Sequence, residues 1–202
     1  MPGITTHIAF SCLFLPQLEE VDPYDFLLGT IAPDTFDRSA SGSFQLHHFA
    51  GPDGVSDLER LRSATGGPRQ YREQDQTSFV DGYFAHLWFD NHARLYEDVL
   101  KIENPTGLEG NDLRKAVRAC IEGHDLAIIG DFLKGLEPHP QSLTAIPGLE
   151  FISIKRTERL LQQVIDRQQD VALPTAGMID GEKYREFLAA AAKEFLSFIR
   201  HS

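Results

Sequence analysis

Residues 79–90 read Phe-Val-Asp-Gly-Tyr-Phe-Ala-His-Leu-Trp-Phe-Asp, and this stretch decides the fold class. Its pattern is helical, which puts His86 and Asp90, four apart, on one face and one turn from each other. An imidazole and a carboxylate stacked in that way can grip one metal ion. The spacing by itself is weak evidence: eight His and 30 acidic residues in 202 positions supply about one such pair by chance, and many decorate a solvated helix. The neighbours give it weight. Phe79, Val80, Phe84, Leu87, Trp88 and Phe89 leave little polar surface, and a charge embedded among them needs a partner.

Working outward, helical signals dominate. Thr5 or Thr6 is placed to cap a helix over 7–15 that Pro16 stops. Asp22-Pro23 opens a second over about 23–30, ending at Gly29. Residues 32–52 read as loop, followed by a helix over about 55–64 closed by Gly66-Gly67-Pro68. The segment holding His86 and Asp90 runs from about 76 to 101. Asn111 or Asp112 begins another, with Leu113, Val117, Cys120, Ile121, His124, Ile128 and Phe132 on one stripe. Two more helices fit about 151–168 and 180–200. No window shows several period-two strands with hairpin turns. The expectation is an all-α, single-domain helical bundle over 1–202.

Composition narrows the function classes. A net charge of −11 argues against a nucleic-acid surface, which needs a basic footprint. An acidic chain acting on an anionic substrate needs local positive charge, and a bound divalent metal supplies it. Cys12 and Cys120 make no disulfide framework and read as small core residues. The apolar run Ile8–Leu15 is too short to span a bilayer, and the first residues lack a basic leader. A cytoplasmic protein without a transmembrane segment is expected.

Three further places offer metal-ligating chemistry: His7, Asp34 in Ala-Pro-Asp, and the doublet His47-His48. Each also has an ordinary reading. His7 suits a helix start, Asp34 a turn or cap, and one His of a doublet is usually exposed. Imidazoles with carboxylates and no thiolate are nevertheless the donor set of a zinc site.

The wording around these residues resembles the zinc-dependent phospholipase C family of all-helical enzymes. The matching pieces are Thr-His-Ile-Ala-Phe at 6–10, Gly-Thr-Ile-Ala-Pro-Asp at 29–34, His-Phe-Ala-Gly-Pro-Asp-Gly at 48–54 and Gly-Tyr-Phe-Ala-His-Leu-Trp-Phe-Asp at 82–90, in the same order and within residues 2–95. The resemblance implies that Asp34, His48, His86 and Asp90 form one metal site, with His7 holding a second ion and Asp90 bridging. It prefers His48 over His47 because the family's His directly precedes the aromatic. It also implies one to two zinc ions and a third position in an incomplete site. There the chain departs from the family: His92 is only two residues beyond Asp90, and His124 is followed at i+4 by Ile128 rather than an acid. The start also differs, since Met1-Pro2 precede the N-terminal ligand.

What the resemblance implies for function is a metal-dependent phosphoesterase acting on a small phosphodiester or a phospholipid-like headgroup, with Asp34 handling the attacking water. Two other readings compete. His124-Asp125 spells the dipeptide of HD-type metal phosphohydrolases, and a closed four-ligand site would make the metal structural. His124, with Asp131 on the same face, also reads as a hydrogen-bonded core residue, and the flanking Gly123 and Gly130 suggest a close approach. His92, His139 and His201 are expected to be solvated.

Overall fold

The structure, a computed structural model, describes residues 3–36, 39–66, 74–93, 107–136, 143, 146–167 and 178–201. Among them lie eight α-helices and no strand. These are α1 (Ile4–Phe14), α2 (Pro23–Ile31), α3 (Ser43–His47), α4 (Leu58–Ala64), α5 (Gln74–Ala93), α6 (Gly110–Leu133), α7 (Ile154–Arg167) and α8 (Gly181–His201). Short 3-10 turns at Leu15–Gln17 and Ala32–Thr35 continue α1 and α2. One isolated bridge pairs Ala50 with Ser56.

The helices begin where the local chemistry allows. Asp22 caps α2 by accepting the Asp25 amide, with Pro23 at the first helical position. Asp57 does the same for α4 through Arg60, so that helix starts at Leu58 rather than near 55. The expected cap at Thr5 or Thr6 is not one. The helix begins at Ile4 with Gly3 in the capping position, and both threonines lie inside it, buried. Helix α6 starts at Gly110, ahead of Asn111 and Asp112. Two elements fall in the stretch read as loop: the Ala32–Thr35 turn and α3. The continuation expected from 94 to 101 lies outside the described residues.

Helix α1 is apolar on nearly every side and is correspondingly central, touching α2, α5, α6 and α8. An aromatic cluster fills the space between them: Phe10 stacks on Phe89 at 4.3 Å, and Phe14 meets Phe195 at 4.9 Å. Cys12 and Cys120 are buried, as their apolar settings imply. The most intimate contact is α2 on α5. A Cβ on Gly29 would lie 1.8 Å from the Phe79 carbonyl oxygen, and one on Gly82 would lie 1.9 Å from that of Phe26. Only a pair of glycines lets two helix backbones meet so closely. This contact places the end of α2 beside the middle of α5, where His86 sits. No described helix is long and apolar enough to cross a membrane.

Candidate metal centre

Helix α5 presents His86 and Asp90 to the interior, one turn apart, with Asp90 Oδ2 3.5 Å from His86 Nε2. Helix α1 supplies His7, whose ring stacks on His86 at 3.7 Å and whose Nε2 lies 3.4 Å from Asp90 Oδ1. The turn after α2 supplies Asp34, and the residue capping α3 is His48. His48 Nε2 is 3.4 Å from His86 Nε2, 3.6 Å from Asp90 Oδ2 and 3.8 Å from Asp34 Oδ1. All five candidate residues therefore meet at one place, in two overlapping groups: His7, Asp34 and His86, and His48, His86 and Asp90. Within each group the donor atoms lie within 4.8 Å of one another.

The orientation of the rings shows which nitrogens face the cluster. His86 Nδ1–H donates to the Thr30 carbonyl at 2.7 Å, and His48 Nδ1–H donates to that of Phe44 at 3.2 Å. A carbonyl can only accept, so in each neutral ring the proton is on Nδ1 and Nε2 carries a bare lone pair. Those two lone pairs face each other across 3.4 Å, beside a carboxylate. Such an arrangement is repulsive unless a proton or a metal ion sits between them. Metal-bound histidines are oriented by a bond of this kind at the second nitrogen.

The spacing fits as well. His48 Nε2, His86 Nε2 and Asp90 Oδ2 make a triangle with sides of 3.4, 3.5 and 3.6 Å. A tetrahedral ion with bonds of 2.0–2.1 Å needs about 3.3–3.4 Å between ligand atoms. Asp90 turns its other oxygen to His7, and that buried Oδ1 has no hydrogen-bond partner among the described residues. Asp90 thus turns one oxygen toward two imidazoles and the other toward a third.

Electrostatics agree with a site short of positive charge. Burial, then the His86 charge, lowers His7, and the same two causes push His48 down to about 4. Burial also works to lower His86, but the hydrogen bond and charge of Asp90 outweigh it and raise it. For Asp90 burial acts upward, yet the adjacent His7 and His86 rings hold its carboxyl well below the usual range. Lowered His7 and His48 are favoured neutral, the form in which imidazoles ligate metal, while raised His86 is the ring that most readily takes a second proton, on Nε2. All three rings are buried, whereas Asp34 and Asp90 are slightly more exposed, at 7% and 10%.

Other residues fall elsewhere. Asp125 is buried and accepts hydrogen bonds from Thr5, Thr6 and Tyr184, and neither it nor His124 joins a metal-capable group among the described residues. His124 is half-buried, its ring against Gly181, where a Cβ would lie 2.4 Å from the imidazole. The close approach is thus at Gly181, and at Gly130 a Cβ would meet nothing within 4 Å. His92 is not freely solvated: it stacks on Trp88 at 3.6 Å and bonds its carbonyl. His47 is buried alongside His48, against Phe151. His139 and the side chains of Asp131 and His201 lie outside the described residues.

The sequence reading missed the orienting carbonyls of Thr30 and Phe44 and the glycine pair. Gly82, alone in an otherwise bulky apolar helix, was the available signal for the latter. No family model matches this chain, and no curated protein and no solved structure is similar enough to count as a match.

Proposed function

We propose that this chain is a metal-dependent phosphoesterase, favouring zinc, that hydrolyses a phosphodiester or a phospholipid-like headgroup ester. The observation that carries the reading is the pair of Nε2 atoms on His48 and His86 that converge to 3.4 Å beside Asp90, each ring oriented by a backbone carbonyl at Nδ1. His48, His86 and Asp90 Oδ2 would hold one divalent ion, and His7 with Asp90 Oδ1 a second. Zinc bound there supplies Lewis acidity toward phosphoryl oxygens and brings a water's pKa to about 7. The chain's own residues do the rest. The buried histidines would fix the geometry, and Asp34 and Asp90, the less buried members of the cluster, would face the substrate. Asp34, on a turn of its own and farther from His48 than Asp90 is, takes the proton of the attacking water. The water oxygen bonds to phosphorus, the ester P–O bond breaks, its electron pair leaves on the alcohol oxygen, and the proton on Asp34 returns to that oxygen. The phosphoester specificity is drawn from the likeness of the four sequence pieces.

The test is hydrolysis of bis(p-nitrophenyl) phosphate by protein purified without a histidine tag, with metal content measured alongside. Turnover should vanish on chelation, return with zinc, and fall on the order of 10²-fold or more in Asp34→Asn. Activity indifferent to both chelation and Asp34→Asn would overturn the assignment. Bound metal without turnover on any phosphoester would point to a structural centre.

A further inference from the structure

His7 differs from the other two imidazoles of the cluster. His86 and His48 are each oriented by a backbone carbonyl, while His7 Nδ1 is buried with no hydrogen-bond partner among the described residues. Its ring leans on His86 at 3.7 Å and meets the edge of Phe89 at 5.5 Å. Neither contact fixes the height of α1 against the cluster. The two residues before it are anchored instead. The Thr5 and Thr6 hydroxyls donate to the same oxygen of Asp125, at 2.9 and 2.8 Å, and the Tyr184 hydroxyl donates to the other. Asp125 is fully buried on α6, and Tyr184 is fully buried on α8. One carboxylate therefore ties the first turn of α1 to two other helices, immediately ahead of His7.

We infer that Asp125 is a positioning residue of the metal centre, clamping the first turn of α1 so that His7 faces Asp90. This rests on the metal-site reading above and assigns the His124-Asp125 dipeptide a task other than ligation. Helix α1 has no side-chain cap, so Thr5 and Thr6 are free to serve the clamp. Side chains at positions 5 and 6 leave a helix about 100° apart, and their convergence on one oxygen sets the rotation of α1 about its axis. A rotation would swing His7 away from Asp90 Oδ1 and leave His48, His86 and Asp90 Oδ2 where they are. The clamp thus governs one half of the centre and not the other.

The experiment compares Asp125→Ala, Asp125→Asn and the isosteric Thr6→Val, reading metal content per chain and the His7 ring-proton NMR signal in metal-free protein. Stacking on His86 displaces that signal. In Asp125→Ala it should move toward its unstacked position, and the ion held through His7 should be lost or bound at least about 10-fold more weakly. The other ion should remain. Asp125→Asn, which keeps an acceptor for the threonines and a polar partner for Tyr184, should retain signal and metal content. Should Asp125→Ala fail to fold, Thr6→Val decides the matter, with the same signal shifting partway. An unmoved His7 signal and unchanged metal content in both Asp125→Ala and Thr6→Val would overturn the clamp while leaving the metal site standing. A wild-type protein that takes up no metal, but whose His7 signal still moves in Asp125→Ala, would overturn the metal reading and keep the clamp.

Discussion

Gly82→Ala is the most informative single change, because it touches no candidate ligand. The new Cβ would lie 1.9 Å from the Phe26 carbonyl oxygen, a backbone atom that no rotamer can move aside. Real Cβ contacts start near 3.0 Å, so α2 and α5 must part by about 1 Å. Two effects on stability oppose each other. Overpacking costs about 1–3 kcal/mol, while replacing glycine by alanine inside a helix returns about 1 kcal/mol. The net loss is then about 0–2 kcal/mol, and the fold survives. The centre is less forgiving. The Thr30 carbonyl sits one residue from Gly29, and the same 1 Å stretches the His86 Nδ1–H bond from 2.7 Å beyond hydrogen-bonding distance. Losing such an orienting bond costs about 10–100-fold in metal affinity. Zinc titration by calorimetry, beside a thermal melt of the metal-free protein, separates the two effects. Gly82→Ala protein that melts lower but binds zinc as the wild type does would refute the idea that the glycine contact aims His86.

Further outcomes follow from the same geometry. Zinc at 100 times its dissociation constant should stabilise the wild type by about 2.7 kcal/mol, and His86→Ala, which empties both groups of their shared ligand, should abolish that gain in a melting assay. Metal uptake should release protons below neutral pH, because His86 is raised and its Nε2 proton must leave; pH-stat titration measures this. Burial raises the Asp125 carboxyl to about 7 from 3.8, so its folded state holds a proton that the unfolded chain gives up between those values. The stability it contributes is complete below 3.8 and is lost as pH rises through 7. Between pH 5 and 8 the metal-free wild type should therefore lose up to about 3 kcal/mol relative to Asp125→Asn in urea melts, and parallel curves would disprove the raised carboxyl.

Part of this centre was legible in the chain because some of its geometry is local. His86 and Asp90 are four apart on one helix, and α-helical periodicity alone puts them on a common face. The same periodicity revealed α2, α7 and α8 within a few residues of their observed limits. Where the reading slipped, a tertiary contact had displaced a local preference. Thr5 and Thr6 look like caps, yet their hydroxyls are taken by Asp125, 120 and 119 residues away. His47-His48 looks like a doublet with one exposed member, yet α3 and Phe151 bury both. Short α3 was missed because five residues show too little period to be recognised.

The order of residues alone specified an all-helical chain and the side-chain types able to ligate metal. It also specified the His86–Asp90 pair, since spacing within one helix is set by the backbone. That His7, Asp34 and His48, from three other segments, close on that pair was settled by the packing of the helices. Their distances depend on how helices dock, and docking is decided by contacts that no local window contains: the Gly29–Gly82 approach that lays Thr30 against His86, and the Asp125 carboxylate that holds α1 in place.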